Sequence, residues 1–430
     1  MSRYLNACRR WTPHLLGLVL LLLLLTGGPP PQDQEFRLDV LSNRYAFDFV
    51  TWELKTIFNK VAYGLLSPQR FMSETERARY VLEYLDNVTT AHNLAAEIDR
   101  LYSDPAVADP AVATRAQRRR LNELRAFMEV QGAVAEAILE EQVSRVLGDE
   151  GFGVLRQILP PVRGAITPLP HLLVVSPRAH IERLYQKELI PGMTIEQQVG
   201  LEQRIEAELP HLSSYVTAIG GLAAYPAMLL ESNSIDWLAD VMAHEWTHHY
   251  LLPRPLGWNY FNSAEARTVN ETAASLVGEW GGQEVVRRFY APLLDREKRF
   301  PDPLVKEESP SAPPTFDFHA EMRETRVTVD RLLAQGRIEQ AEAYMEARRQ
   351  LFVEHGYYIR RLNQAYFAFH GAYASLSSSG AAGDDPTGPA VRRVWALSAS
   401  PRLFLRKLGS ATTLTEVLAL EAQLSVAPQP

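Results

Sequence analysis

His244-Glu245-Trp246-Thr247-His248 is the stretch on which the reading of this chain turns. The pattern is HExxH. On a helix, positions i and i+4 lie one turn apart on one face, so two imidazoles can reach a single zinc ion. Glu245, beside the first histidine, is placed to take a proton from a water at that ion. The chemistry requires a helix, and the flanking residues supply one. Residues 235–252 contain neither Pro nor Gly, and Ile235, Leu238, Ala239, Met242, Trp246 and Tyr250 recur at helical spacing. Asn233 or Ser234 can cap the start, and Pro253 follows the end. The bland alternative is a pair of ordinary packed or surface histidines, because short motifs also arise by chance.

A catalytic zinc needs a third protein ligand and an open position for water. The segment Ser263–Glu279 reads as the next helix, with Ser263 as its cap, and carries Glu271 23 residues after His248. Ala274, Ser275 and Gly278 lie one and two turns beyond Glu271, and this small face would let the two helices approach closely. Glu279 is disfavoured, since Trp280-Gly281-Gly282 follows and predicts the helix end. Glu265 sits in the first turn, where the helix dipole already accounts for a carboxylate. Asp240, one turn before His244, is a candidate to orient the His244 ring, and His249 flanks the site.

HExxH with a downstream glutamate on a second helix resembles the gluzincin metallopeptidases. Asn270-Glu271-Thr272-Ala273-Ala274 is similar to the NExxA signature of several gluzincin branches, and Asn363–Tyr373 also resembles bacterial aminopeptidase-like envelope proteins. The similarity spans about residues 170–375. It implies a zinc ion held by His244, His248 and Glu271, a water nucleophile and peptide hydrolysis. One departure is that position 275 is Ser, so the ExxxD variant is absent and orientation of a ligand histidine must come from elsewhere. No separate motif for a free N-terminus is present. The resemblance also implies an oxyanion donor beyond the third ligand. Tyr366, His370 and Tyr373 share one face of a predicted helix; His370 and Tyr373 are preferred, with a packed aromatic stripe as the alternative. His319 and Glu321 are a weaker option.

Ser214–Gly221 reads as a strand entering a glycine pair, and Leu222–Leu229 as its extended continuation. In a zincin an edge strand lies over the metal and pairs with substrate backbone. Gly220 and Gly221 would allow close approach, and Pro226 suits an edge. An ordinary Gly-Gly turn between core strands is the equal alternative.

The chain has 430 residues and a net charge of −7, which argues against a nucleic-acid partner. Arg118-Arg119-Arg120 reads as a solvated helix face. Arg3, Arg9 and Arg10 precede an 11-residue apolar run, Leu15–Leu25, followed by Thr26-Gly27-Gly28 and three prolines. This predicts export, by a cleaved signal peptide or an uncleaved transmembrane anchor in contact with the membrane, and an extracytoplasmic location at a bacterial envelope. The only cysteine, Cys8, precedes the run, so the exported part has neither disulfide nor thiol nucleophile.

The expected fold class is α+β, predominantly helical, with a zincin-like core of a small sheet over the HExxH helix. The expected organisation is residues 1–35 signal or anchor plus Pro-rich spacer, 36–149 helical, 150–303 catalytic core, 304–315 linker and 316–430 helical. A mobile Ser/Gly/Pro segment is expected near 375–390. The expected function is a zinc peptidase, with an aminopeptidase as one form of it, acting on a peptide or protein. The alternatives are a non-catalytic envelope protein on the same scaffold and a zinc hydrolase of non-peptide substrates.

Overall fold

The computed structural model describes residues 33–103, 109–154, 157–294, 316–357, 359–371 and 385–426, with Gly17 besides. Residues up to Arg44 form one compact unit and Tyr45–Pro430 a second. In the first, helix α1 (Gln34–Ser42) starts at Asp33, whose carboxylate accepts the Phe36 N–H. Among the described residues no helix is long and apolar enough to cross a membrane. This corrects the transmembrane reading. The apolar run itself, like Cys8, lies outside the described residues apart from Gly17.

The second unit is mainly helical with small sheets. Its first helices are α2 (Phe49–Leu66), α3 (Glu74–Ser103) and α4 (Arg115–Leu147). At the α3 start, Ser73 and Glu76 exchange hydrogen bonds in a capping box. Arg118, Arg119 and Arg120 are exposed on α4. After a short hairpin of β1 (Gly153–Val154) and β2 (Gln157–Ile158) come β3 (Gly164–Ile166), β4 (His171–Pro177), β5 (Tyr185–Leu189) and α5 (Ile195–Glu208). Next are β6 (Leu212–Ala218), β7 (Gly221–Leu222), β8 (Ala227–Leu229) and the motif helix α6 (Ile235–Leu251). The ligand helix α7 (Ala264–Val285) follows. The C-terminal part holds α8 (Phe318–Ala334), α9 (Ile338–Glu354), α10 (Gln364–His370), α11 (Thr387–Ala396), α12 (Pro401–Leu408) and α13 (Leu414–Val426). The expected linker 304–315 lies outside the described residues, as does most of the Ser/Gly/Pro segment, although its last residues already belong to α11.

Beyond the β1–β2 pair, the strands form two three-stranded sheets rather than one continuous run. Strand β4 is antiparallel to both β5 and β6. Its residues Leu172–Ser176 are all buried, with Ala365 and Phe369 of α10 packed on Leu172 and Val174. The second sheet has the order β3-β8-β7, with β3 parallel and β7 antiparallel to β8. Of the two expected readings, the strand continuing through the glycines does not hold: it breaks at Ile219-Gly220, and Gly221 starts a strand of the other sheet.

The two edges of this second sheet are treated differently. On β3, the N–H groups of Gly164 and Ile166 are taken by Glu140 (3.0 Å) and Glu136 (2.7 Å) of α4. Lys60 bridges both carboxylates at 2.7 and 2.8 Å, and Arg163 adds to Glu140 at 2.9 Å. That edge is closed to further pairing. On the β7 side, Leu230 N–H donates to Gly220 (3.2 Å), while Leu229, opposite Gly221, turns its carbonyl away to Thr167 N–H (2.9 Å). Pairs alternate in an antiparallel ladder, so Gly221 turns its own N–H and C=O to the outer edge.

The main core joins α3, α4, α6 and α7 with the last three helices. Trp246 is buried there, donating its indole N–H to Pro160 (2.8 Å) and stacking on Tyr250. Helices α6 and α7 pack with almost no gap. A Cβ at Gly282 would stand 2.8 Å from Asp240 N and 2.9 Å from its Cα; one at Gly281 would stand 3.0 Å from Ala243 Cβ. This corrects the expected helix end at Trp280-Gly281-Gly282. The glycines are interior contacts, and the helix runs on to Val285. Gly282→Ala is expected to lower stability in urea by about 1–3 kcal/mol, the usual scale for overpacking. Were contact absent, alanine would instead add roughly 1 kcal/mol through helix propensity.

Candidate metal centre

Helix α6 starts at Ser234, whose hydroxyl accepts the Trp237 N–H (3.2 Å), and α7 at Ser263, which accepts the Ala266 N–H (3.2 Å). These caps set the rotation of both helices, and the glycine contacts set their spacing. His244 and His248 consequently face Glu271 across the helix pair. Their Nε2 atoms are 3.1 Å apart and stand 3.6 and 3.7 Å from Glu271 Oε2. One ligand atom from each lies within 4.8 Å of the others, a grouping of the kind that holds a metal ion.

Glu271 is 1% exposed, and its Oε2 is buried with no hydrogen-bond partner. Its other oxygen, Oε1, accepts the Tyr260 hydroxyl. A buried carboxylate oxygen is costly to leave unpaired. Here that oxygen faces two imidazole nitrogens, which is the donor set a zinc ion takes. His248 Nδ1–H donates to Asn270 Oδ1 at 2.8 Å, which leaves the Nε2 lone pair directed at the site. The residues present fit a zinc ion.

Charges in the site divide in the same sense. Burial pulls His244 down, but Glu271, Glu245 and Asp240 more than reverse this and raise it to about 9. Burial and the neighbouring His244 push His248 down to about 4, against the pull of Glu271. Burial raises Glu271, yet His248, His244 and the Tyr260 hydroxyl bring it to about 2. The site thus holds a carboxylate and draws in positive charge.

Glu245 is buried beside the trio, and burial raises it to about 7, with His244 opposing and Glu271 assisting. Gly221 lies over it: a Cβ there would run into Glu245 Oε1 and stand 2.9 Å from Val241 Cγ1. The open strand edge and the buried carboxylate therefore meet at one residue.

The other sequence candidates fall as follows. Asp240 reaches His244 by charge and lies against Gly278. His249 Nε2 donates to the Ala223 carbonyl (3.2 Å), pinning the β7–β8 turn, and its ring packs on Tyr225. Glu279 is exposed, and Glu265 is exposed and accepts the Leu414 N–H. His370 sits in a ring cluster with Tyr215, Tyr366 and Phe369, where burial lowers it to about 4. Tyr373 lies outside the described residues. Glu321 is paired with Arg348, and His319 packs on Phe318.

Two neighbours of the site carry little sequence signal. Asn270 stood inside the NExxA phrase without a role of its own. Tyr260 lies in the loop between the helices, where no periodicity marks it. Asn270→Ala is expected to weaken zinc binding about 10–100-fold, as loss of a ligand-orienting partner typically does. Competition with a chromophoric chelator would read this directly, and an unchanged affinity would remove Asn270 from the site.

No protein-family model, curated protein or solved structure matches the chain.

Proposed function

We propose that this chain is a zinc-dependent peptidase of gluzincin type, acting outside the cytoplasm as its basic and then apolar N-terminal segment suggests. The observation that carries the reading is the buried Oε2 of Glu271, without a hydrogen-bond partner, facing Nε2 of His244 and His248, with Glu245 alongside. His244, His248 and Glu271 would hold the ion. When bound, zinc supplies a Lewis acid that polarises a carbonyl and acidifies a water.

The remaining work falls to the chain's own groups. Glu245, raised to about 7, can accept a proton near neutrality and return it to a leaving amine. The missing side chain at Gly221 leaves room for its Oε1 during that exchange. The N–H and C=O of Gly221 suit strand addition by an extended peptide, a mode that needs backbone groups and no particular side chain. The Tyr260 hydroxyl fixes Glu271 so that only Oε2 faces the histidines. The zincin-like core of the proposal is this arrangement: a short edge strand above the HExxH helix.

The test is metal content followed by cleavage. The full chain, supplied with zinc, is expected to hold about one ion and to cut members of a peptide library read by mass spectrometry. A folded chain that takes up no zinc would overturn the metal site. One zinc with no peptide cut would leave a scaffold protein or a hydrolase of other substrates.

A further inference from the structure

The loop joining the motif helix to the ligand helix carries three large apolar side chains in water: Leu252 (61% exposed), Trp258 (65%) and Phe261 (67%). The loop is firmly held. Leu256 N–H donates to Gly409 (3.0 Å), Trp258 N–H to Arg254 (3.0 Å), and Asn262 and Ser263 N–H to Asn259 (3.1 and 3.0 Å). Arg267, only 5% exposed, donates to the Phe261 carbonyl at 3.3 Å and lies 5.8 Å from the Tyr260 ring centroid. A buried guanidinium thus helps to hold the segment whose aromatic side chains stay outside.

One of them, Phe261, is linked to the candidate metal centre through ring contacts. The Phe261 ring meets Tyr260 edge-on at 4.9 Å; Tyr260 meets His248 at 5.8 Å and hydrogen-bonds Glu271. An extended peptide advances about 3.4 Å per residue, so Phe261 lies within roughly three residues of a bond held at the trio. Trp258, which ends the short helix Pro255–Trp258, precedes it by three residues in the same hydrogen-bonded loop and is likewise exposed.

We propose that Phe261 and Trp258 form an apolar wall of the substrate cleft and select substrates carrying a large apolar side chain close to the bond that is cut. The inference rests on the peptidase reading and adds the substrate class to it. Apolar burial is the driving force, and the exposed rings gain it only when a substrate side chain covers them.

Two hydroxamates that chelate zinc through the same group serve as probes: acetohydroxamate and 3-phenylpropionohydroxamate. Their affinities are measured by calorimetry on the zinc-loaded full chain and on Phe261→Ser and Trp258→Ser, both changes at exposed positions. The phenyl compound is expected to bind about tenfold tighter or more. That ratio should fall toward one in Phe261→Ser while acetohydroxamate affinity stays unchanged. Equal affinities in the unaltered chain, or a ratio that neither substitution moves, would overturn the proposal. Failure of both compounds to bind would remove the wall together with the metal site. Peptides differing by Phe or Asn at single positions are assayed in parallel. If none is cut while the hydroxamate ratio behaves as expected, the wall stands and the peptidase reading falls.

Discussion

Glu245→Gln is expected to keep the bound zinc and lose peptide hydrolysis by a factor of about 10²–10⁴, the usual range for a positioned general acid–base group. The amide is nearly isosteric with the carboxylate. Glu245 is not one of the three converging ligand residues, so metal content should not change. What the amide cannot do is accept a proton. Burial raises the Glu245 carboxyl above the usual carboxylate range, which makes it a stronger base than an exposed glutamate. Parallel measurement of zinc stoichiometry and kcat/KM checks this. Turnover at the natural rate in the variant would end the proposed mechanism, whereas loss of zinc would make Glu245 part of the metal shell.

The second large effect concerns the third ligand. Glu271→Ala is expected to lose zinc at concentrations that saturate the natural chain, and Glu279→Ala to keep it. Both glutamates lie on α7 eight residues apart, and they differ in surroundings. Glu271 is buried, fixed by Tyr260, with one oxygen aimed at both histidines. Glu279 is exposed, and its partner is Gln283 at 3.4 Å. The loss at Glu271 should exceed the roughly 10–100-fold expected at Asn270, because a ligand is removed rather than its support. Equilibrium dialysis with metal analysis distinguishes the two variants, and the reverse order would move the ligand along the helix.

The candidate metal site has one physical source, the close packing of α6 on α7. Glycines at 278, 281 and 282 let the backbones approach, and that approach puts Glu271 opposite the HExxH face. Substitutions at these glycines should therefore couple fold stability to metal affinity, although none touches the ion.

What sequence alone determined was local and periodic. The four-residue spacing of His244 and His248 fixes them on one face of any helix. Ser234, Ser263 and the Ser73/Glu76 pair mark helix starts because side-chain oxygens satisfy N–H groups that have no carbonyl partner. Strand β4 is signalled in the sequence by Leu172-Leu173-Val174-Val175 between Pro170 and Pro177. Glu271 was legible from the small residues beyond it.

Tertiary structure decided the rest, where the meaning of a residue depends on what packs against it. Gly281-Gly282 reads as a stop in isolation, yet contact with Asp240 and Ala243 makes it helix interior. Gly220-Gly221 reads equally as a continuing strand or as a turn, and the partners available at β4 and β8 divide the segment between two sheets and leave Gly221 at an open edge. His370 shares a helical face with other aromatics in either reading, and only its ring contacts show the cluster it joins. Tyr260 and Phe261 sit in a loop with no period, so their place beside the metal centre follows from the hydrogen bonds that hold that loop and from nothing in its composition.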